Sequence, residues 1–477
     1  MLVVGNGALG LFLAEELAAR GAGKVTVVGA PGRPGGASKA AGAMLGCFGE
    51  VTKDTLRTPA GRAKFGISLA AHKRWPEVLE RLRHLATERG ESLRAVADTF
   101  VILNACGGEL DSLNFAAMLS AMDEMGEPWS EAEPGDIRSY QPRTDARALR
   151  VVHLPNEGAV DGNQVLSLME TSVERAGARL VPGEVRSLEV ADGRVTGVRL
   201  ADGTVLSAGT VVVAAGVRSA DLVRPVLGRD ELLPMFAGAG VAFVGRRERG
   251  EGFTSVVRSP NRSGSCGLHL VPFGDGREYL GATNILYEEP QLEADVGMGR
   301  FLSECAMQQL DERICFHKVV EWRTGNRPVT LDGFPAVGWT SVAGLYLLTG
   351  TYRDGFHCAP VLAEHVAGEV LGTGGTLDMP FAPDRSPIWT WSPDGSADEF
   401  ALHMMAGWFE ARAVSPPEVT AATLGDLFRT QASAVCQMMP AGVGLGPEIL
   451  MYLTGPHADR ERLVSLLRYL RHAGAAA

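Results

Sequence analysis

The tightest constraint on this chain is a glycine-rich turn near its start that separates an apolar run from a helical pattern. Leu2 to Val4 leads into Gly5-Asn6-Gly7-Ala8-Leu9-Gly10, then Leu11 to Ala18 in a helical pattern, then Lys24-Val25-Thr26-Val27-Val28. A β-branched apolar run of that kind reads as a buried parallel strand. Strand, glycine turn, helix and strand make a β-α-β unit, the context in which G-x-G-x-x-G signals dinucleotide binding. Gly5 permits the tight turn, Gly7 lets a pyrophosphate approach the backbone, and Gly10 lets the helix pack closely on the strand. Ala8 and Leu9 open the helix, where free N–H groups and the helix dipole favour an anion. One position departs from the pattern. The acidic residue that usually ends the second strand and binds the ribose hydroxyls is Gly29, and no Asp or Glu follows until Glu50. Arg33 either contacts the adenine or a phosphate, or is an exposed loop arginine.

Further along, residues 56 to 95 read as helical, 136 to 160 as loop, and 163 to 177 as a helix. Val185 to Val190 and Val195 to Leu200 alternate as strands about the turn Asp192-Gly193. Thr210 to Gly216 is another buried strand ending in glycine. From about 232 to 340 the pattern changes to an antiparallel sheet, with strands at 240–244, 267–272 and 279–283 and a helix near 297 to 311. Leu345 to Leu348 returns to buried-strand character, and a helix begins near Ala359. A nucleotide-binding domain is therefore expected in three pieces, 1–80, 150–230 and 325–375, with a substrate-binding domain from 81–149 and 231–324. Residues 376–397, rich in Pro, Ser and Asp, read as a linker, and 398–477 as a helical C-terminal extension.

With 477 residues, a multidomain chain is expected. Its net charge of -11 argues against a protein devoted to nucleic acid, which needs clustered Lys and Arg. The seven cysteines, Cys47, Cys106, Cys266, Cys305, Cys315, Cys358 and Cys436, include no C-x-x-C pair, so neither a zinc site nor a disulfide framework is expected. A reduced, cytoplasmic setting fits. Met1 to Val4 run straight into the turn without a charged n-region, so no signal peptide is expected. No apolar stretch reaches the length of about 18 residues that a membrane span needs.

A family resemblance then becomes specific. Ala37-Ser38-Lys39-Ala40-Ala41-Gly42-Ala43-Met44-Leu45-Gly46 resembles the loop that glycine oxidases place against the flavin and its pyrophosphate. Leu154 to Asp161 and Val211 to Ser219 resemble two further segments of the same enzymes. Arg327-Pro328-x-x-x-Asp332-Gly333-x-Pro335 and Gly350-Thr351-Tyr352-Arg353-Asp354-Gly355 are similar to the family's C-terminal signatures. The matches run in the right order from residue 1 to about 372. The chain thus resembles the glycine oxidase and D-amino acid oxidase (DAO) family of FAD-dependent enzymes. The resemblance implies an α/β fold: a Rossmann-like, glutathione-reductase-type FAD-binding domain with an inserted antiparallel-sheet substrate domain.

It also implies residue roles. FAD contacts fall on Gly5, Gly7, Ala8, Leu9, Gly10, Arg33, Ser38, Gly42, Ala43, Met44, Val185, Gly216 and Gly350, and on Thr351 to His357, that is Thr351, Tyr352, Arg353, Asp354, Gly355, Phe356 and His357. That last turn precedes a helix whose positive end would favour an anionic flavin. His357 has packing or capping as its alternative. Arg327 matches the arginine that pairs with the substrate carboxylate, a task suited to a guanidinium fork. Arg353 matches a second arginine near the substrate. His269 stands where the family has a tyrosine, which changes hydrogen bonding and brings in a group that titrates near neutrality. Asn326 replaces a leucine and is expected to add a polar group near the pocket. Glu50 is expected at the surface; facing the pocket, it would favour a substrate with an added cationic group. Cys358 is expected in the core, and no metal site is expected.

The implied reaction is hydride transfer from the carbon bearing an amine to FAD, followed by imine hydrolysis to an oxo product. O2 or another electron acceptor would then be reduced, giving H2O2 in the first case. The substrate would be an amino acid or N-substituted glycine, more specialised than glycine itself and suited to a biosynthetic pathway. Two alternatives stand beside this: an FAD-dependent tRNA-modifying enzyme, and a non-catalytic FAD-bound interaction protein. The extension is open to three uses, as a homo-oligomer contact, a lid, or a docking site for a partner.

Overall fold

The computed structural model describes residues 1–227, 232–262, 267–458 and 460–475; Cys266 lies outside them. The opening unit folds as its pattern dictates. Strand Leu2–Val4 runs parallel to Thr26–Gly29 across helix Ala8–Ala19, with Val3 beside Val27. The turn between them needs glycine: Gly5 has φ +117°, and a Cβ on Gly10 would lie 1.9 Å from the Gly5 carbonyl oxygen.

These strands sit inside a six-stranded sheet ordered Ala336–Trp339, Leu345–Thr349, Val211–Val213, Leu2–Val4, Thr26–Gly29, Arg179–Pro182. All neighbours pair in parallel except Ala336–Trp339. Because strand side chains alternate in direction, the sheet feeds two cores. Val3, Val27, Val212, Tyr346 and Leu348 pack with helices Ala8–Ala19, Pro59–Glu88, Gly162–Arg175 and Ala359–Val370. Leu2, Val4, Val28, Val211, Val213, Leu345 and Leu347 pack the other way, against the three-stranded sheet Val185–Ala191, Arg194–Leu200, Val205–Ser207 and helix Ser219–Leu227.

A nine-stranded mixed sheet forms the second layer, built around the long pair Met235–Arg246 and Lys318–Thr330. Its other strands include Thr99–Asn104, Ala148–Leu154, Val256–Arg258, His269–Gly274 and Arg277–Gly281. The reading of 136–160 as loop is corrected here: Ala148–Leu154 pairs with Thr99–Asn104, and Gly158–Val160 with Met44–Leu45. Leu149 and Arg150 both face solvent while Val151 and Val152 are both buried, so the alternation that announces a strand is missing. Three of the expected domain boundaries fall inside elements. Helix Pro59–Glu88 runs through residue 80, strand Ala148–Leu154 through 149/150, and strand Lys318–Thr330 through 324/325.

The segment after residue 376 has no regular structure until helix Pro393–Glu410, yet it is not loose. Phe381 is fully buried and stacks on Phe334, and the Arg385 guanidinium meets both oxygens of Asp332 at 2.9 and 3.0 Å. Helices Pro393–Glu410, Ala421–Cys436, Pro447–Thr454 and Arg460–Ala475 follow. They share one apolar core with Leu233, Phe236, Leu286, Val329, Leu331 and Tyr352 of the preceding chain. Among the described residues, no helix is long and apolar enough to cross a membrane.

Candidate active site

One large cleft, about 700 Å³, runs from the Gly5–Leu9 turn past residues 36–44 to the Thr351–His357 turn. Of the residues expected to hold FAD, all line it except Gly10 and Gly350, which serve the backbone of two turns instead. A Cβ on Gly10 would strike Gly5, and one on Gly350, where φ is +74°, would approach the Ala336 nitrogen at 2.9 Å. At the helix start, Ala8 N–H donates to Ser38 Oγ at 3.0 Å and ties the two small-residue segments together. Of seven described non-glycine residues with positive φ, Arg33, Ala43 and Tyr352 line this cleft. Such backbone strain gathers where a ligand is clamped.

The missing acid at Gly29 has a physical reason. A Cβ there would lie 2.2 Å from Asn6 Cγ and 2.4 Å from its Oδ1. The Asn6 carboxamide, anchored by Nδ2 donating to the Ala30 carbonyl at 3.2 Å, already fills the place where an acidic side chain would start. Arg33 also lines the cleft, donating from Nε to the Asn6 carbonyl at 2.7 Å and pairing with Glu170.

Arg327 lines the same cleft, together with four further charged or titratable groups: Glu50, Arg258, His269 and Arg353. Arg327 Nη1 donates to the Thr283 carbonyl at 3.1 Å and to Asn284 Oδ1 at 3.3 Å, and no carboxylate pairs with it among the described residues. Arg353 donates from Nη1 to Asn261 Oδ1, and its guanidinium lies 5.1 Å from the Tyr352 ring. Glu50 faces the cleft rather than the outer surface, a correction to the expectation. It pairs with Arg258 at 2.6 Å, and its side chain keeps 22% exposure. Burial alone would raise its carboxyl, but the positive charge of Arg258 and Arg353 holds it below the usual range.

His269 is pushed down to about 4, first by burial and then by the Arg258 charge, so it is neutral at pH 7. Its Nδ1 faces the Gly267 carbonyl at 3.2 Å, which keeps the proton on Nδ1 and leaves Nε2 as an acceptor. Tyr279 stacks on it, with ring centroids 5.7 Å apart. The expectation for Asn326 is overturned: it points away from the cleft because its neighbour Arg327 points in. Its carboxamide is fully engaged with Gly35 and Gln291.

Two other side chains are explained by packing. His357 lines the cleft, but its ring donates to the Ser68 carbonyl at 2.9 Å. Trp75 braces the same turn, donating Nε1–H to the His357 carbonyl at 2.7 Å and stacking on Phe356. Cys358 is buried and its thiol is pushed up by burial. Cys47, His72 and Glu157 come within ligand distance of one another. Both Glu157 oxygens are occupied, however, by the N–H groups of Cys47, Phe48 and Gly49, at 2.7, 2.5 and 2.9 Å. That carboxylate anchors the segment carrying Glu50.

Sequence reasoning missed Arg258, Asn6 and Asn284. Arg258 ends a three-residue strand, and Asn6 occupies the variable position of the glycine motif. Arg258 lies in no motif and the motif leaves residue 6 unspecified; only the distance from Asn6 to Gly29 exposes the exchange of those two.

The chain is 26% identical over 392 residues to the Bifunctional protein ThiO/ThiG of Synechocystis sp., covering 81% of this chain and 54% of that one. It spans about half the length of the curated relatives it matches. Among solved structures, glycine oxidase from Geobacillus kaustophilus is similar with a TM-score of 0.67 at 22% identity. Iminodiacetate oxidase from Chelativorans sp. BNC1 is similar with a TM-score of 0.66 at 21% identity. Each comparison covers 80% of this chain and 98% of the other. The structural likenesses speak to the fold alone. The small-residue cleft, its strained backbone and the helix start all suit a bound dinucleotide. With a match to FAD dependent oxidoreductase, DAO, over residues 1–369, the chain belongs to the DAO family of FAD-dependent oxidoreductases.

Proposed function

We propose that this protein oxidises the C–N bond of an amino acid or N-substituted glycine-type amine held through its carboxylate at Arg327. The observation that carries the reading is the half-buried Arg327 guanidinium, which has no carboxylate partner among the described residues and lies in the cleft with His269 and Glu50. A substrate carboxylate completes its hydrogen bonding. Bound FAD supplies the hydride acceptor, and O2 or another acceptor takes the electrons onward.

The residues of the chain do the positioning. The fork of Arg327 fixes one end of the substrate. His269 Nε2 accepts from the amine N–H, and the Glu50 carboxylate favours a cationic or hydrogen-bonding nitrogen beside it. Hydride transfer depends on this alignment rather than on a strong protein base. Asn6 takes the ribose hydroxyl contact in place of the usual acid, and Arg33 borders the same end of the cleft. Glycine oxidase and iminodiacetate oxidase are, by name, enzymes of carboxylate-bearing amines, which supports the substrate class. Asn326, engaged with Gly35 and Gln291, does not support a substrate larger than glycine; the exchange of tyrosine for His269 and the long C-terminal segment support it. A specialised biosynthetic role in a reducing, cytoplasmic setting fits this reading.

The test is anaerobic addition of a panel of amines and amino acids to the FAD-loaded protein. Bleaching of the flavin band by a carboxylate-bearing amine, but not by its decarboxylated analogue, is the expected result. Equal bleaching by both would remove Arg327 from its role.

A further inference from the structure

We infer that the C-terminal helical extension, whose described residues do not line the cleft, positions Arg353 and the Glu50 segment from behind it, acting from Glu410 and His403 through Arg262 and Asn261. What that site binds rests on the reading above; how it is held does not.

The family match ends at residue 369, before helix Pro393–Glu410 begins. That helix nevertheless reaches the active site by a short path. Arg262 donates from Nε to Asp111 Oδ1 at 2.6 Å and from Nη2 to Asp111 Oδ2 at 3.2 Å, while Nη1 donates to Glu410 Oε2. All three side chains are 5% exposed or less. The second Glu410 oxygen accepts from Gln309 Nε2 at 3.0 Å, and Gln309 Oε1 accepts from Asn104 Nδ2 at 2.7 Å. On the same helix, the His403 ring faces the Arg262 carbonyl through Nε2 and the Glu399 carbonyl through Nδ1. Both the side chain and the backbone of Arg262 are therefore fixed from the extension.

The adjacent residue carries that fixation into the cleft. Asn261 donates from Nδ2 to the Glu50 carbonyl at 2.8 Å and accepts from Arg353 Nη1 at Oδ1. Its own carbonyl accepts from Asn114 Nδ2 at 2.7 Å. One carboxamide thus sets the separation between the Glu50 segment and the Arg353 guanidinium. Lys53, three residues past Glu50, pairs with Glu399 of the same helix.

A second contact runs through Tyr352. Its ring belongs to the apolar core formed by Ala397, Phe400 and Leu450 of the extension. Its hydroxyl accepts from Asn284 Nδ2 at 2.7 Å, and Asn284 Oδ1 accepts from Arg327 Nη1 at 3.3 Å. Buried ionic networks add little to net stability but can impose a single geometry, and breaking one leaves a charge without compensation. Glu410, His403 and Asn261 are positioning residues on this account, since they act through Arg262, Arg353 and Glu50.

The test uses full-length, FAD-loaded protein and two readouts: hydrogen exchange of residues 256–262 and 351–357, and the flavin spectral shift on titration with acetate and benzoate. In Glu410→Gln, faster exchange in both segments and an acetate Kd raised about tenfold are expected. Asn261→Ala should match it, and the double variant should be no worse than Asn261→Ala, because the two act in series. Arg429→Ala, which breaks only the exposed Arg429–Asp398 pair on the extension, should leave both readouts unchanged. Should Glu410→Gln fail to fold, His403→Gln tests the same loop from its backbone contact. Unchanged exchange at 351–357, or fully additive effects in the double variant, would overturn the inference. Absence of any carboxylate shift in the unsubstituted protein would instead sink the substrate reading, and exchange would still decide the positioning.

Discussion

Arg258 Nη1 and Glu50 Oε1 meet at 2.6 Å on the wall of the cleft, one from a strand of the nine-stranded sheet and one from the short turn Phe48–Glu50. The pair contributes two opposite charges to the cleft that Arg327 also lines. In Arg258→Met, Glu50 loses the main positive charge opposing its burial, so its pKa rises. The acid limb of the kcat/KM profile should move up by about 1–2 pH units. A profile identical to that of the unsubstituted enzyme would mean that Glu50 does not govern substrate binding.

Replacing Arg327 by lysine keeps the charge but loses the fork. For a carboxylate-bearing amine, kcat/KM should fall about 10- to 100-fold, while flavin content stays constant. Steady-state kinetics beside an absorbance ratio of flavin to protein checks both halves.

Asn6 and Gly29 should behave as a coupled pair. Asn6→Ala is expected to weaken FAD binding about 3- to 10-fold, read by flavin fluorescence during titration. Gly29→Glu alone forces a Cβ into the Asn6 side chain and should lose the cofactor. Asn6→Gly with Gly29→Glu opens that space and should restore binding. A double variant no better than Gly29→Glu would refute the exchange.

Acid should destabilise the fold over a defined window. His269 and His357 are both depressed to about 4 in the folded chain, against roughly 6.5 when unfolded. Between those values the unfolded chain binds protons that the folded chain does not, so stability is full above pH 6.5 and falls as pH drops toward 4. Each histidine accounts for roughly 3 kcal/mol at most. Melting temperatures should be flat from pH 7 to 8 and decline below 6.5, and His357→Gln should flatten part of that decline.

Much of this was legible in the sequence for physical reasons. The β-α-β unit announces itself because its strands are buried on both faces and its turn admits only glycine at Gly5 and Gly10. The Arg327 and Thr351–His357 segments stood out by resemblance to family signatures, and both line the cleft. What escaped was whatever depends on distance between remote positions. Asn6 fills the room left by Gly29, Arg258 of strand Val256–Arg258 meets Glu50 of the distant Phe48–Glu50 turn, and Asn326 faces away because its neighbour Arg327 faces in. The strand Ala148–Leu154 was hidden because Leu149 and Arg150 face solvent together and broke its period.

Trp75 gives the fold a further property. Its indole stacks on Phe356, with centroids 6.4 Å apart and planes within 6°, and Phe356 lines the cofactor cleft. An excited indole separated from the cleft by one ring passes its energy to a flavin seated there, so ultraviolet emission from the protein should dim as the cleft fills. The chain thereby carries its own optical gauge of cofactor loading, readable without labels, substrate or turnover.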